Sequence, residues 1–358
     1  MLMIYPEKYY QDAVDFCKMF TCDAVRPRYV LGRNEYATSI ARLVDVDGFI
    51  DDFSNDTEFL GKPILKMNEL PIDSLVVSTV IFVVPVTAIN NLKNNGLVCL
   101  DYFKFLQYSG LDLIKVEYMR QAKQDIEQNL SNYCELYNCL GDETSKDIFE
   151  KLVNFRFSGD LLYLQEFELA PERQYFEDFF DLNFGEVFVD AGGFDGQTVV
   201  EFIKRCPDYK SIHIFEPDPL NITLARSNLS KFHNITFHQM GLSDRKNTLK
   251  FNSGDGSASK VSETGDIEIK MDSIDNLIEE PVTLIKMDIE GAEEIALQGA
   301  KRHIITDYPK LAICCYHKYD DLWKIPEQIK SMRNDYSIYL RHYSEGLHET
   351  VMYFMPNS

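Results

Sequence analysis

The sequence predicts an α/β protein organised around a parallel sheet. Short apolar runs alternate with helical patterns along most of its 358 residues. The strongest signal is EVFVDAGGFDGQ at 186–197, where the apolar run Val187–Val189 ends at Asp190 and leads into a glycine-rich turn. A second apolar run, Ile212–Phe215, is followed at once by Glu216, about 20 residues after the last glycine. Strand, carboxylate, glycine turn and helix in this order predict a nucleotide-type binding loop.

The turn carries Gly192, Gly193 and Gly196, which allow a sharp bend and the approach of a ligand to bare N–H groups. It departs from the dinucleotide pattern, because Phe194 stands where a second motif glycine is required. Asp190 would also repel a pyrophosphate, and suits a ligand with positive charge. The amino acid end of S-adenosylmethionine (SAM), with its ammonium and sulfonium groups, is such a ligand. A tight turn without a ligand is the alternative.

Composition narrows the class of protein. The net charge is −21, with acidic residues spread along the chain, which argues against a nucleic-acid partner and an anionic membrane surface. The eight cysteines contain no C-x-x-C pair, so neither a zinc site nor a redox dithiol is expected. The sequence contains no run of 18 apolar residues, so no membrane span is predicted. We therefore expect a cytoplasmic protein with reduced thiols.

The chain is predicted to contain three parts. Residues 1–105 alternate β and α patterns and predict a small Rossmann-like α/β domain. Residues 106–180 carry apolar residues at helical spacing and predict a helical connector. Residues 181–358 resume the βα alternation, and their last two strands predict an antiparallel hairpin. Within this part, residues 250–265 are rich in Ser and Gly and are predicted to be mobile.

The N-terminal part resembles the small Rossmann-like domain at the N-terminus of sugar-nucleotide acyltransferases, on the segments YVLGRN, GFIDD and GKPIL. In that family the first turn is rich in glycine, whereas Asn34 stands here in place of a second glycine. A nucleotide site and a degenerate scaffold or dimerisation domain both remain open. A homo-oligomer formed through this domain is therefore one expectation.

Residues 143–356 resemble the FkbM family of SAM-dependent methyltransferases, on the motifs VDAGGFDG, FEPDP, IKMDIEGAE and PKLAICCYHK and on the closing RHYS and MYFMP segments. The resemblance implies a class I methyltransferase fold, with a Rossmann-like, mostly parallel seven-stranded sheet ending in an antiparallel hairpin. It also implies O-methylation, commonly of sugars or glycan precursors, as in polysaccharide biosynthesis. Gly193 stands where the family often has alanine, a departure expected to be harmless.

The polar residues that follow the predicted strands are expected to line one crevice, because ligands bind at the carboxyl ends of strands in an open α/β sheet. The SAM-binding residues expected from the turn and from the resemblance are Asp190, Gly192, Gly193, Gly196, Glu216, Pro217, Leu242, Ser243 and Asp244. Glu216 would accept the ribose hydroxyls, and the last three would lie near adenine.

The catalytic residues are expected to be His317, Asp288 and Glu290. A sugar hydroxyl is a poor nucleophile, so a base or a metal ion is useful. His317 is the preferred base because the ordinary pKa of histidine is close to neutrality; a structural histidine is the alternative. Asp288 and Glu290 could orient His317, act as base or hold a divalent metal ion. Glu293 and Glu294 are expected on a solvated helix face.

Two other functions stay open at this point. A Rossmann-type oxidoreductase that uses NAD is disfavoured by Phe194 and Asp190. A non-catalytic or sugar-nucleotide-binding protein of glycan assembly is disfavoured by the complete set of glycines and acids around the turn. The leading prediction is a SAM-dependent O-methyltransferase with a sugar-containing acceptor.

Overall fold

The computed structural model describes residues 1–22, 25–251 and 267–357, so most of the segment predicted to be mobile lies outside the described residues. The chain forms two compact units. The first comprises residues 1–131, 147–170 and 342–349, and the second comprises 132–146, 171–341 and the residues from 350 onward. Residues 106–180 are divided between the two units. The three-part organisation stays a prediction.

The first unit is built on a six-stranded sheet. Its strands and helices run in the order α1 Gln11–Cys22, β1 Arg28–Leu31, α2 Glu35–Leu43, β2 Gly48–Ile50, β3 Glu58–Phe59, β4 Lys62–Leu65, β5 Leu75–Ser78, α3 Pro85–Asn94, β6 Val98–Asp101 and α4 Tyr102–Tyr108. The sheet order is β3-β4-β2-β1-β5-β6. All neighbours are parallel except β3 and β4. Two long helices follow, α5 Glu117–Cys139, which is kinked at Asn129, and α6 Glu143–Ser158.

The first turn of this sheet explains the asparagine at position 34. Its side chain caps α2 by accepting a hydrogen bond from Ala37 N, and its amide donates to Thr79 O at 2.8 Å. A glycine could make neither bond, and an N-cap of this kind contributes about 1 kcal/mol to helix stability. Asn34 therefore has a structural function. Whether the first unit binds a nucleotide stays open.

The second unit is built on a seven-stranded sheet. Its strands and helices run in the order β7 Val187–Ala191, α7 Gln197–Arg205, β8 Ser211–Phe215, α8 Pro219–Asn228, β9 Ile235–His238, β10 Gly241–Leu242, β11 Asn247–Phe251, β12 Ile267–Asp272, α9 Ile274–Leu277, β13 Leu284–Met287, α10 Glu293–Gln298, α11 Lys301–Thr306, β14 Lys310–Cys314, α12 Asp321–Met332, β15 Tyr336–His342 and β16 Thr350–Pro356. The order in the main sheet is β15-β16-β14-β13-β7-β8-β9, and β10, β12 and β11 form a small separate sheet. Strand β16 pairs antiparallel with β14, whereas β7, β8, β9, β13 and β14 are parallel. The predicted seven-stranded, mostly parallel sheet is confirmed.

The sheet order positions the site. Strand β7 lies between β8 on one side and β13 on the other, so the strand order reverses there. Every residue of β7 is buried, as expected of a strand covered on both faces, and Phe188 packs on Phe202 of α7 with ring centroids 4.6 Å apart. In open α/β sheets, ligands bind beside such a reversal, at the carboxyl ends of the strands. The ligand site is therefore expected at the carboxyl ends of β7, β8 and β13.

Candidate functional site

The glycine turn after β7 folds back on the end of β8. Gly192 and Gly196 have φ angles of +77° and +83°, a region that favours glycine. Gly192 N and Gly193 N donate to Phe215 O at 2.9 and 3.1 Å. The expectation of bare N–H groups is thus wrong at these two residues, because the sharp turn brings both amides back to the neighbouring strand.

Gly193 is packed more tightly than the sequence suggested. A β carbon at this position would overlap the Cγ2 atom of Ile214 in β8. Glycine itself is accommodated, as expected. The alanine that the resemblance makes common at this position would require Ile214 to move.

Asp190 is fully buried in β7 and faces a cation of the protein itself. Its Oδ1 atom lies 3.1 Å from the Nζ atom of Lys286 in β13, and that ammonium also donates to Gly192 O at 2.7 Å. Burial raises the pKa of Asp190, against the effect of Lys286. Burial lowers the pKa of Lys286, but Asp190 and Asp288 outweigh it and the pKa is raised. The sequence analysis did not identify Lys286, although a lysine inside an otherwise apolar strand indicates a buried partner of opposite charge.

Glu216 stands at the end of β8 and holds the glycine turn. Its Oε2 atom accepts from Phe194 N at 3.0 Å, and its Oε1 atom accepts from Asp218 N at 2.9 Å. Burial raises the pKa of Glu216. Pro217 is half-buried beside it, and Asp218 caps α8. The turn and the carboxylate therefore form one connected structure.

The three residues expected near adenine lie at the small sheet. Leu242 pairs with Asp272 of β12, and Ser243 N donates to Asp272 O at 3.0 Å. Leu242 and Ser243 are buried, whereas Asp244 is exposed and accepts a hydrogen bond from the Ser243 hydroxyl. Of the three side chains, Asp244 is the most accessible to a ligand. Their contact with adenine stays a prediction.

His317 follows β14 and is surrounded by carboxylates. Its Nδ1 atom lies 3.0 Å from Glu293 Oε1, and its Nε2 atom lies 3.4 Å from Asp288 Oδ1 and 3.7 Å from Glu290 Oε2. Burial lowers the pKa of His317, but Glu293, Asp288 and Glu290 outweigh it and raise the pKa to about 9. The structure thus brings the three predicted catalytic residues together. However, it gives His317 a pKa well above the near-neutral value on which the base assignment relied.

Asp288 is the residue of this group that adjoins the glycine turn. Its backbone N donates to Ala191 O at 3.0 Å. Its carboxylate accepts from Tyr175 at 2.9 Å and from Tyr316 at 3.1 Å. Burial raises the pKa of Asp288, but Lys286, His317 and the two tyrosines outweigh it, and the pKa is lowered. Asp288 is therefore ionised at neutral pH.

Glu293 was expected on a solvated helix face, and that prediction is wrong. Only 1% of its side chain is exposed, because the first turn of α10 packs against His317. Glu294, the next residue, is half-buried. Asp321, the first residue of α12, is also buried, and burial raises its pKa to about 7. We refer to Asp288, Glu290, Glu293, His317 and Asp321 as the His317 cluster.

Comparison with known proteins identifies the domain that carries this site. A family model described as the methyltransferase FkbM domain matches residues 190–342. Residues 190–342 form an FkbM methyltransferase domain. The matched segment contains the glycine turn, Glu216 and the His317 cluster, and the resemblance predicted from the sequence is confirmed. The chain is a methyltransferase.

Solved structures extend the similarity beyond this domain. The crystal structure of methyltransferase FkbM from Methylobacillus flagellatus KT is 25% identical over 96% of this chain and 93% of that chain, with a TM-score of 0.74. The similarity thus includes the N-terminal part of the chain as well as the FkbM domain. The predicted Rossmann-like methyltransferase fold of that domain is confirmed.

Two further structures are similar over about half of this chain. A putative rRNA methylase from Clostridium thermocellum is 11% identical over 49% of this chain and 90% of that chain, with a TM-score of 0.34. A precorrin-6y C5,15-methyltransferase from Geobacter metallireducens GS-15 is 17% identical over 48% of this chain and 80% of that chain, with a TM-score of 0.32. No curated protein matches the sequence.

Proposed function

We propose that the FkbM domain transfers the methyl group of SAM to a hydroxyl of a sugar or glycan precursor. One observation carries the proposal: the glycine turn with its two acids and the His317 cluster occupy neighbouring strand ends, joined by the Asp288–Ala191 hydrogen bond. A site for a methyl donor and a polar site for an acceptor hydroxyl are therefore adjacent.

Glu216, beside the turn, has acceptor capacity left for SAM. Each oxygen of Glu216 accepts one backbone hydrogen bond, and a carboxylate oxygen has room for two. Glu216 can therefore receive ribose hydroxyls while it holds the turn. When bound, SAM supplies an electrophilic methyl group, so the main task left to the protein is to align acceptor and donor.

The His317 cluster supplies the acceptor's environment. We assign acceptance of the hydroxyl proton to Asp288, because its carboxylate adjoins the turn and its side chain is 23% exposed, against 8% for His317. His317 lies behind it, between Asp288 and Glu293. In this assignment His317 orients the carboxylates, and Glu290 borders the acceptor.

The acceptor class, a role in polysaccharide biosynthesis and a cytoplasmic location rest on the family resemblance. Within the described parts of the chain, no helix has both the length and the apolar character needed to cross a bilayer. We also propose that the N-terminal unit pairs subunits, which light scattering of the purified chain tests directly.

The proposed reaction is tested with the full chain and methyl-labelled SAM. Calorimetry with SAM, S-adenosylhomocysteine and NAD identifies the ligand, and incubation with a panel of nucleotide sugars and oligosaccharides identifies the acceptor by mass. We expect SAM to bind and one acceptor class to gain a methyl group. Binding of NAD without SAM would instead support the oxidoreductase, and SAM binding with label found only on an amine or a carbon would refute O-methylation.

A further inference from the structure

We propose that Asp288, Glu293 and His317 form a binding site for a divalent metal cation. One ligand atom from each of these side chains lies within 4.8 Å of the others. Carboxylate oxygens and an imidazole nitrogen are ordinary ligands of divalent ions. The three come from the ends of β13 and β14 and the start of α10, so the sheet and a helix both hold them in place.

Buried polar atoms without partners point to a ligand at this position. Among the described residues, Glu293 Oε2 and both ring nitrogens of His317 have no hydrogen-bond partner, although only 1% and 8% of these side chains are exposed. Nδ1 lies 3.0 Å from Glu293 Oε1, a contact that is an ion pair only when the ring is protonated. Such atoms are rare and costly in folded proteins. A cation would satisfy Glu293 Oε2 and one ring nitrogen of His317, where it takes the place of a proton, while the other ring nitrogen keeps its N–H.

The charges around the site also favour a cation. Glu290 lies 3.7 Å from His317 Nε2, and the buried Asp321 leaves its Oδ1 atom without a hydrogen-bond partner among the described residues. Lys286 acts on Asp288 but is paired with Asp190, and Lys318 is paired with Glu294. Acidic side chains thus outnumber the basic ones at this point, and a bound cation is the kind of group that balances such an excess.

The ligand types favour Mn²⁺ as the probe. Two carboxylates with one imidazole and no thiolate suit Mn²⁺ or Mg²⁺, with the imidazole favouring Mn²⁺ over Ca²⁺. A second acidic group, Glu294, Asp320 and Asp321, lacks a histidine, and lysines pair with its first two members. It carries no proposal and supplies controls.

A catalytic role for the cation rests on the proposed function. Asp288 links the metal site to the glycine turn through Ala191. A cation there would polarise an acceptor hydroxyl and favour loss of its proton. The existence of the site rests only on the side chains that form it.

The test measures binding without SAM or acceptor. The full chain, stripped with a chelator, is titrated with Mn²⁺ and followed by the electron paramagnetic resonance signal of free Mn²⁺ and by calorimetry. We expect one Mn²⁺ per chain, a higher melting temperature with Mn²⁺, and at least about tenfold weaker binding in Glu293→Gln and in His317→Gln. Glu294→Gln and Asp320→Asn should bind as the wild type does.

Two results would overturn the site. The first is a wild-type chain that takes up neither Mn²⁺, Mg²⁺ nor Zn²⁺. The second is unchanged affinity in Glu293→Gln and His317→Gln. Circular dichroism confirms that the variants are folded, and the wild-type titration decides the question if they are not. Mn²⁺ binding without methyl transfer to any hydroxyl would leave the site standing and refute the proposed reaction, so the two failures are distinguishable.

Discussion

Gly192 and Asp288 approach so closely that a β carbon on residue 192 would overlap the Asp288 carbonyl oxygen. Gly192 also has a φ of +77°, so two separate constraints require glycine there. This contact fixes the end of β13 against the turn that follows β7. The donor side and the acceptor side of the site are therefore parts of one packed structure.

Gly192→Ala is expected to lower the free energy of unfolding by about 2–5 kcal/mol, because the methyl group adds an overlap with backbone to the cost of a positive φ. Gly185→Ala is the matched control: it has a φ of +79° in the same unit, and a β carbon there would meet no atom within 4 Å. It should cost only about 1–2 kcal/mol. Urea unfolding of both variants measures the difference, and equal losses would contradict the contact.

Glu216→Ala is expected to weaken SAM binding by about 1–3 kcal/mol through lost charge-assisted hydrogen bonds. It should also loosen the turn, because Phe194 N and Asp218 N lose their acceptor. Glu201→Ala, on α7, removes a carboxylate paired with Lys204 and Arg205 and serves as control. Calorimetry that finds wild-type affinity in Glu216→Ala would remove the residue from the ribose role.

Lys286→Met is expected to destabilise the protein by about 3–5 kcal/mol, because it leaves the fully buried Asp190 without its cation. Adding Asp190→Asn should recover part of this loss, since the uncompensated charge is then gone. Chemical denaturation of the two single variants and the double variant measures the coupling. Additive losses would show that the pair does not interact energetically.

Asp288→Asn is expected to lower kcat by about 10²–10⁴-fold with little change in SAM affinity, as for the loss of a positioned base. His317→Gln should lower kcat less, because His317 acts through the carboxylates beside it. Glu294→Gln is the control. A kcat that falls further in His317→Gln than in Asp288→Asn would reverse the assignment and restore His317 as the base.

Acid pH is expected to destabilise the fold through His238. Burial, with a contribution from His213, lowers the pKa of His238 to about 4, and its ring stacks on Phe215 at 4.3 Å. The unfolded chain binds a proton near pH 6.5 and the folded chain does not, so the stability present above pH 6.5 is lost as the pH falls towards 4. The loss is at most about 3 kcal/mol. His238→Gln should flatten this part of the stability–pH curve, and an unchanged slope would refute the assignment.

Local features of the fold were readable from the sequence because they depend on neighbours along the chain. The apolar run 187–189 and the glycines after it predicted β7 and its turn. Strand periodicity was less informative about length. The β-forming run 76–84 extends well beyond β5, which ends at Ser78, where its pairing with β1 and β6 stops.

The sequence by itself determined which residues follow the strands, and so which side chains could meet at the sheet edge: Asp190, Glu216, Asp288 and His317. Only the tertiary structure decided what each of them faces. Lys286 reaches Asp190 across 96 residues, Tyr175 reaches Asp288 across 113, and the carboxylate of Glu293 raises the pKa of His317. Periodicity reports the face on which a residue lies, whereas charge, burial and pKa depend on partners that only the packed sheet and helices bring together.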